Sequence, residues 1–188
     1  MGRGYMPAKH SLVKRICYIN TEAEILNSFG QQIPKFLYPN MVSCMRHGSN
    51  KRYWRINDGG RKGGNIKVAD IMLATFVREV NKAAGEEADH INGNALDDRL
   101  VNLRIVDRAI NQRDGGFARK LRNKGIDPTM FASSFLLRYF DRMAEYKASH
   151  TRWQYERLTR EELLEMLVGP EFKINHRDIL LEEEKRYD

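Results

Sequence analysis

The sequence predicts an α+β protein, and three observations carry that prediction. Short β-branched and aromatic runs, broken by Gly and Pro, fill the chain from Arg15 to Val68. A 23-residue stretch from Asp89 to Asn111 reads as a tight loop, a short strand and a helix. After Gly115-Gly116 the pattern turns helical, with strong helix-start signals. The expected division is a basic arm and β-rich region over 1–66, a central core over 67–116 and a helical region over 117–188.

Residues 1–15 read as a flexible basic arm, since Gly2, Gly4 and Pro7 oppose regular structure. Strands are expected at 15–19 (RICYI), 35–38 (KFLY), 41–45 (MVSCM), 53–56 (YWRI) and 65–68 (NIKV). Asp58 to Gly64 reads as a hairpin tip that exposes Arg61 and Lys62 between paired glycines. Ala69 to Ala84 reads as a helix, because Ile71, Met72, Thr75, Phe76, Val80 and Ala83 recur at three- and four-residue steps and Gly85 suits the stop. A second helix is expected from about Val106 to Arg113, ended by Gly115-Gly116. Arg119, Lys120, Arg122 and Lys124 form a basic link. Asp127-Pro128 then opens a helix whose apolar face runs from Phe131 to Tyr146. Thr159 and Glu162 form a capping box for another, closed by Gly169-Pro170, and Asn175 is placed to cap a third.

Composition excludes several classes. At 188 residues with 41% hydrophobic content, the chain can bury one sizeable core or a medium domain plus an appendage. No apolar run reaches the roughly 18 residues that span a membrane, and the N-terminus lacks the apolar core of a secretory signal. A cytoplasmic location is expected. The two cysteines, Cys17 and Cys44, read as buried reduced thiols, being too few and too distant for a zinc knuckle without histidine help. The net charge of +7 is unevenly spread: +9 over residues 1–78, −3 over 79–114 and +1 over 115–188. A basic surface beside an acidic pocket suits a protein that holds phosphates with one part and a divalent cation with another.

The central stretch, DHINGNALDDRLVNLRIVDRAIN, carries the chemistry. A phosphodiester resists hydrolysis because water is a poor nucleophile and the departing 3′ oxygen leaves badly. A compact catalyst needs a base for the water and a cation for the developing charge. His90 suits the base, since imidazole titrates near neutral pH. Asp89 offers a hard anionic oxygen and Asn111 a neutral one, a set that suits Mg²⁺. Adjacent residues of an extended segment point to opposite sides, so Asp89 can face a metal while His90 faces water. Asn92-Gly93 supplies the turn. Asp97, Asp98 and Arg99 are expected to brace the loop by side-chain to backbone bonds. Asn102 is placed to clamp that loop and fix His90. The cations expected at a nucleic-acid backbone are Arg61, Lys62, Arg104, Arg119, Lys120, Arg122 and Lys124. His10, His47, His150 and His176 read as structural or exposed.

This stretch closely resembles the ββα-metal core of HNH endonucleases, most of all the homing type found in phage genomes, intron-encoded or free-standing. The family shows D-H-x-N-G-N-x-x-D-N-R-x-x-N-L-R, then a helix with a final His or Asn. The matching residues are Asp89, His90, Asn92, Gly93, Asn94, Asp97, Arg99, Asn102, Leu103, Arg104 and Asn111. The segment 67–77 is similar to the lead-in that often precedes the motif. The resemblance covers about 67–114. It implies His90 as general base, Asp89 and Asn111 as ligands of one Mg²⁺ or Mn²⁺ ion, and Asn102 as the residue that positions the His90 loop. Two positions depart from the pattern: the last residue is Asn, as in the subgroup that opens with Asp-His, and Asp98 stands where Asn is more usual. The paired Cys-x-x-Cys motifs of the zinc-stapled branch are absent from the sequence, so no structural zinc is expected.

The expected function is therefore a metal-dependent DNA endonuclease acting on duplex DNA and leaving 5′ phosphate and 3′ hydroxyl ends. Cleavage is expected by nicking or by double-strand cutting: one active site per chain favours a nick unless the protein dimerises, and a monomer is expected over a dimer. The competing readings are a DNA-binding or phage structural protein that keeps the fold without catalysis, and a nonspecific or RNA-directed nuclease.

Overall fold

A computed structural model describes residues 4–39, 52–57 and 65–169. The expected strand at 41–45, Cys44, His47, the tip with Arg61 and Lys62, and the helix after Asn175 with His176 lie outside those residues. The described residues form an α+β arrangement of small antiparallel sheets and helices. They divide into two compact units: one of residues 1–90 and 94–108, the other of 91–93 and 109–188. That division follows contacts, whereas the boundaries at 66 and 116 follow composition and chemistry.

The first unit holds three sheets. Strands β1 (Met6–Pro7), β2 (Cys17–Ile19) and β3 (Ile25–Asn27) form one, in that order. The N-terminal segment is therefore not simply an arm. Met6 and Pro7 pair with Ile19 and Tyr18, the Ala8 amide donates to the Cys17 carbonyl, and the Lys9 amide donates to Thr75 Oγ1 (3.0 Å). Strands β4 (Phe36–Pro39), β5 (Arg52–Asn57) and β6 (Asn65–Lys67) form the second sheet, with Arg55 opposite both Phe36 and Lys67. Helix α1 (Val68–Phe76) follows directly and buries Val68, Ile71, Met72 and Leu73 against Ile19, Ile25 and Ile56. Each such fully buried aliphatic side chain contributes about 1.5–3 kcal/mol. Cys17 is buried in this core.

Helix α1 ends eight residues before Ala84, where the periodicity alone would carry it. Arg78 forks onto Glu86 (2.6 and 2.7 Å), Glu86 also accepts from the Asn81 amide (2.9 Å), and the Asn81 side chain caps a 3₁₀ turn at Lys82–Ala84. These local bonds give the backbone an alternative to the helix ladder. Gly85 still provides the stop, in the left-handed region. The third sheet pairs β7 (Glu86–His90) with β8 (Leu103–Asp107), from Glu86 opposite Asp107 to His90 opposite Leu103.

The second unit is helical from α2 (Arg108–Asn123) onward. This helix differs from the expected one at both ends. Val106 and Asp107 belong to β8, because they pair with Glu87 and Glu86. Gly115-Gly116 does not stop it, and the basic stretch 119–124 lies mostly on its last turns rather than in a link. An interior glycine costs about 1 kcal/mol relative to alanine. Burial of Phe117, Ala118 and Leu121 on one face offsets that cost. The chain turns instead at Gly125, whose φ is +70°. Asp127 does cap, accepting from the Thr129 amide, but it opens a 3₁₀ turn at Pro128–Met130; the long helix α3 begins at Ser133 and runs to Ser149. Two capping boxes follow: Thr151 with Gln154 opens α4 (Arg152–Arg157), and Thr159 with Glu162 opens α5 (Arg160–Val168). Phe117, Leu121, Leu136, Tyr139, Phe140, Leu163 and Leu167 make this unit's core, in which the Tyr139 hydroxyl donates to the Phe117 carbonyl (3.2 Å). Among the described residues no helix is long and apolar enough to cross a membrane.

Candidate active site

The site grows from the β7–β8 ladder. Asp89 and His90 are the last residues of β7, so alternation sends their side chains to opposite faces. Asp89 stands directly opposite Arg104, and the Arg104 guanidinium donates to Asp89 Oδ2 through Nε and through a terminal nitrogen, both at 2.8 Å. Asp89 Oδ1 has no protein partner among the described residues. Arg104, expected at DNA, thus steadies a carboxylate inside the ladder. The pairing also fixes which Asp89 oxygen stays open.

His90 has a different partner. Its Nε2 lies 2.8 Å from Asp98 Oδ1, and the two side chains are only 7% and 3% exposed. An ionised carboxylate can only accept, so Nε2 carries the hydrogen and donates. In the neutral imidazole this leaves Nδ1 as the acceptor. Asp98 Oδ2 is buried with no hydrogen-bond partner. The Tyr53 ring lies beside the imidazole, 6.3 Å between centroids and tilted by 39°.

The loop between the strands is tied down by named bonds. Gly93 takes φ +73°, as Asn-Gly predicts. The Asp97 amide donates to the Asn94 carbonyl (3.1 Å), and Trp54 Nε1 donates to the Leu96 carbonyl (3.1 Å). Arg99 grips both Asp97 oxygens at 2.8 and 2.9 Å. Asn102, 1% exposed, donates from Nδ2 to the Asp97 carbonyl at 2.9 Å. Asn102 therefore acts on the loop beside Asp98 rather than by a bond to the imidazole. The Asp97 carboxylate binds Arg99, and the Asp98 carboxylate binds His90.

A β-carbon at Gly93 would also collide with the Arg122 guanidinium within the second unit. Gly93→Ala should then lower stability by about 1–2 kcal/mol from the backbone conformation alone. A calorimetric melting midpoint equal to wild type would show that this turn is not as described.

Asn111 lies in the first turns of α2, in the second unit, together with Arg119, Lys120, Arg122 and Lys124 around the helix end. Lys120 Nζ sits 4.4 Å over the Tyr155 ring and reaches the Glu156 carbonyl at 3.4 Å; burial pushes its amine below the usual lysine range. Arg119 and Lys124 are exposed. His150 is exposed and stacks on Tyr146, with 3.8 Å between ring centroids.

Among the described residues no three His, Cys, Asp or Glu side chains gather as a metal site. A single carboxylate oxygen with one amide oxygen is nonetheless a donor set that Mg²⁺ accepts, since it keeps several waters. Asp89 Oδ1 fits that role on its open lone pairs. Sequence reasoning missed Asp98 as the partner of His90; its signal was a second aspartate eight residues after the histidine. No family model, curated protein or solved structure matches this chain.

Proposed function

We propose that the chain is a metal-dependent HNH-type endonuclease that hydrolyses phosphodiester bonds in duplex DNA, of the homing type that its central motif resembles. The observation that carries the reading is the buried Asp98–His90 pair, next to a carboxylate with one open oxygen at the end of the same strand. A protein that only bound DNA would have no use for an imidazole anchored through one nitrogen with the other left to accept. The order strand, loop, strand, helix over residues 86–123 also suits the ββα pattern.

In this reading His90 Nδ1 takes the proton of the attacking water, while Asp98 holds the ring and its tautomer. Asn102 and Arg99 keep the Asp97–Asp98 backbone in place. Arg104 holds Asp89 so that Oδ1 is presented. Asp89 Oδ1 and the Asn111 amide oxygen, which the motif assigns, would hold Mg²⁺ or Mn²⁺; when bound, the ion stabilises charge on the phosphate and on the 3′ oxygen as it leaves.

The test is incubation of the protein with supercoiled plasmid and phage DNA, with Mg²⁺ or Mn²⁺ or with EDTA. Open-circular or linear product that forms with metal and disappears with EDTA is expected. A nuclease-negative result on every DNA, with duplex binding retained, would favour the non-catalytic reading.

A further inference from the structure

Resting on the nuclease reading, we infer that Lys120 and Lys147, which converge on the Tyr155 ring in the helical unit, form a seat for a backbone phosphate of duplex DNA.

Three helices build this place. Lys120 comes from α2, Lys147 from α3 and Tyr155 from α4. The Lys120 ammonium lies 4.4 Å from the centre of the Tyr155 ring, and the Lys147 ammonium lies 5.6 Å from it. Phe117 backs the same ring, 6.5 Å between centroids, and ties it to the buried core. Lys124 stands one helical turn beyond Lys120, just past the end of α2. Lys120 and Lys147 each lie in the last turn of their helix, where the dipole favours a cation. The dipole accounts for each lysine singly. It does not account for two helices delivering them to one ring, where they repel within about one Debye length (~10 Å at 0.1 M salt).

The surrounding charges leave the place positive. Arg152 holds the Glu156 carboxylate at 2.7 Å. Burial, and then the Lys124 charge, push the Lys120 amine down, and the attraction of Glu156 is weaker than either. Among the described residues Lys120, Lys124 and Lys147 form no ion pair. Lys120 uses one donor on the Glu156 carbonyl, at 3.4 Å, and an ammonium has three. The Tyr155 hydroxyl has no hydrogen-bond partner among the described residues. Burial, and then the Glu156 charge, hold it above the usual tyrosine range, so it stays a donor. Lys124 and Lys147 are exposed, so a surface polyanion reaches them without disturbing the core. A phosphodiester suits the set: it carries one charge and oxygens that only accept, and Lys and Tyr side chains commonly contact it.

The experiment uses the full chain in EDTA, so that no DNA is cut, and reads fluorescence anisotropy of unrelated short duplexes between roughly 50 and 200 mM salt. Lys147→Met should weaken binding about fivefold on every duplex and flatten the log–log salt slope by about 0.9. Lys147→Arg should retain both affinity and slope. Arg138→Met is the control for net charge: Arg138 is exposed on α3 nine residues earlier, on the opposite side of that helix, and its loss should leave the slope as it was. Wild-type affinity and slope in a folded Lys147→Met protein would overturn the inference. So would an equal flattening by Arg138→Met, which would reduce the effect to overall charge. Should Lys147→Met fail to melt cooperatively, Lys120→Met decides by the same two readings. A wild type that cuts DNA while these variants bind unchanged sinks the seat alone. A wild type that shows the expected losses in binding yet cuts no DNA in Mg²⁺ upholds the seat and sinks the catalytic reading. A wild type that neither binds nor cuts any duplex sinks both.

Discussion

His90→Ala should abolish metal-dependent cutting and leave duplex binding within about twofold of wild type, since removing a general base typically costs 10²–10⁴-fold in rate and here also removes the group that accepts the water's proton. Binding to DNA in this reading is carried by cations on the basic N-terminal part and by the metal, and His90 supplies none of that charge. The side chain is almost wholly covered and its bond to Asp98 is internal, so its loss leaves a small void and an unpartnered carboxylate. That cost falls on stability: a buried acceptor left unsatisfied costs about 1–3 kcal/mol. Filter binding in EDTA and single-turnover cleavage in Mg²⁺, on one preparation checked by melting, separate the two effects. Binding that falls as far as cleavage would show that His90 holds the site together and is not its base.

The parts of the molecule that were legible in the sequence are those decided by neighbours in the chain. Asn92-Gly93 announces a left-handed turn because glycine alone enters that region freely, and Gly93 takes φ +73°. Thr159 and Glu162 announce a helix start by reciprocal bonds across one turn, and the α5 cap forms both. The short strands β2, β4, β5 and β6 fall where β-branched and aromatic residues cluster. What failed depends on contacts distant in sequence. Gly115-Gly116 reads as a stop until Phe117 and Leu121 find a core to fill. Val80 and Ala83 keep the helical period, yet Arg78, Asn81 and Glu86 bend the chain away first. Met6 and Pro7 look like an arm until β2 supplies their partners. In the candidate site, Asp89 and His90 were singled out by residue type, spacing and the resemblance of their motif. Arg104 opposite Asp89 and Asp98 beneath His90 required the strand register and the loop path, which no local pattern encodes.

Asp98→Ala should slow cleavage by about 10²-fold, in line with the loss of an outer partner that orients a reacting histidine, without weakening DNA binding. The argument starts from the two ring nitrogens. With Nε2 donating to the Asp98 carboxylate, Nδ1 is obliged to be the acceptor, which is the form a base needs. Without Asp98 the ring can carry its hydrogen on either nitrogen and can turn, so only a fraction of molecules presents an accepting nitrogen to water. Asp98→Asn distinguishes orientation from charge. The amide oxygen can still accept from Nε2, so the tautomer and ring angle survive, while the negative charge beside the proton-laden ring is lost. Its amide nitrogen would occupy the place of Oδ2, which has no partner to offer it. Asp98→Asn should therefore cut faster than Asp98→Ala and more slowly than wild type, with KM for duplex DNA unchanged in both. Single-turnover rates at saturating DNA, with melting curves on each variant, make the comparison. A folded Asp98→Ala protein that cuts at the wild-type rate would remove Asp98 from the mechanism and leave the buried pair as packing.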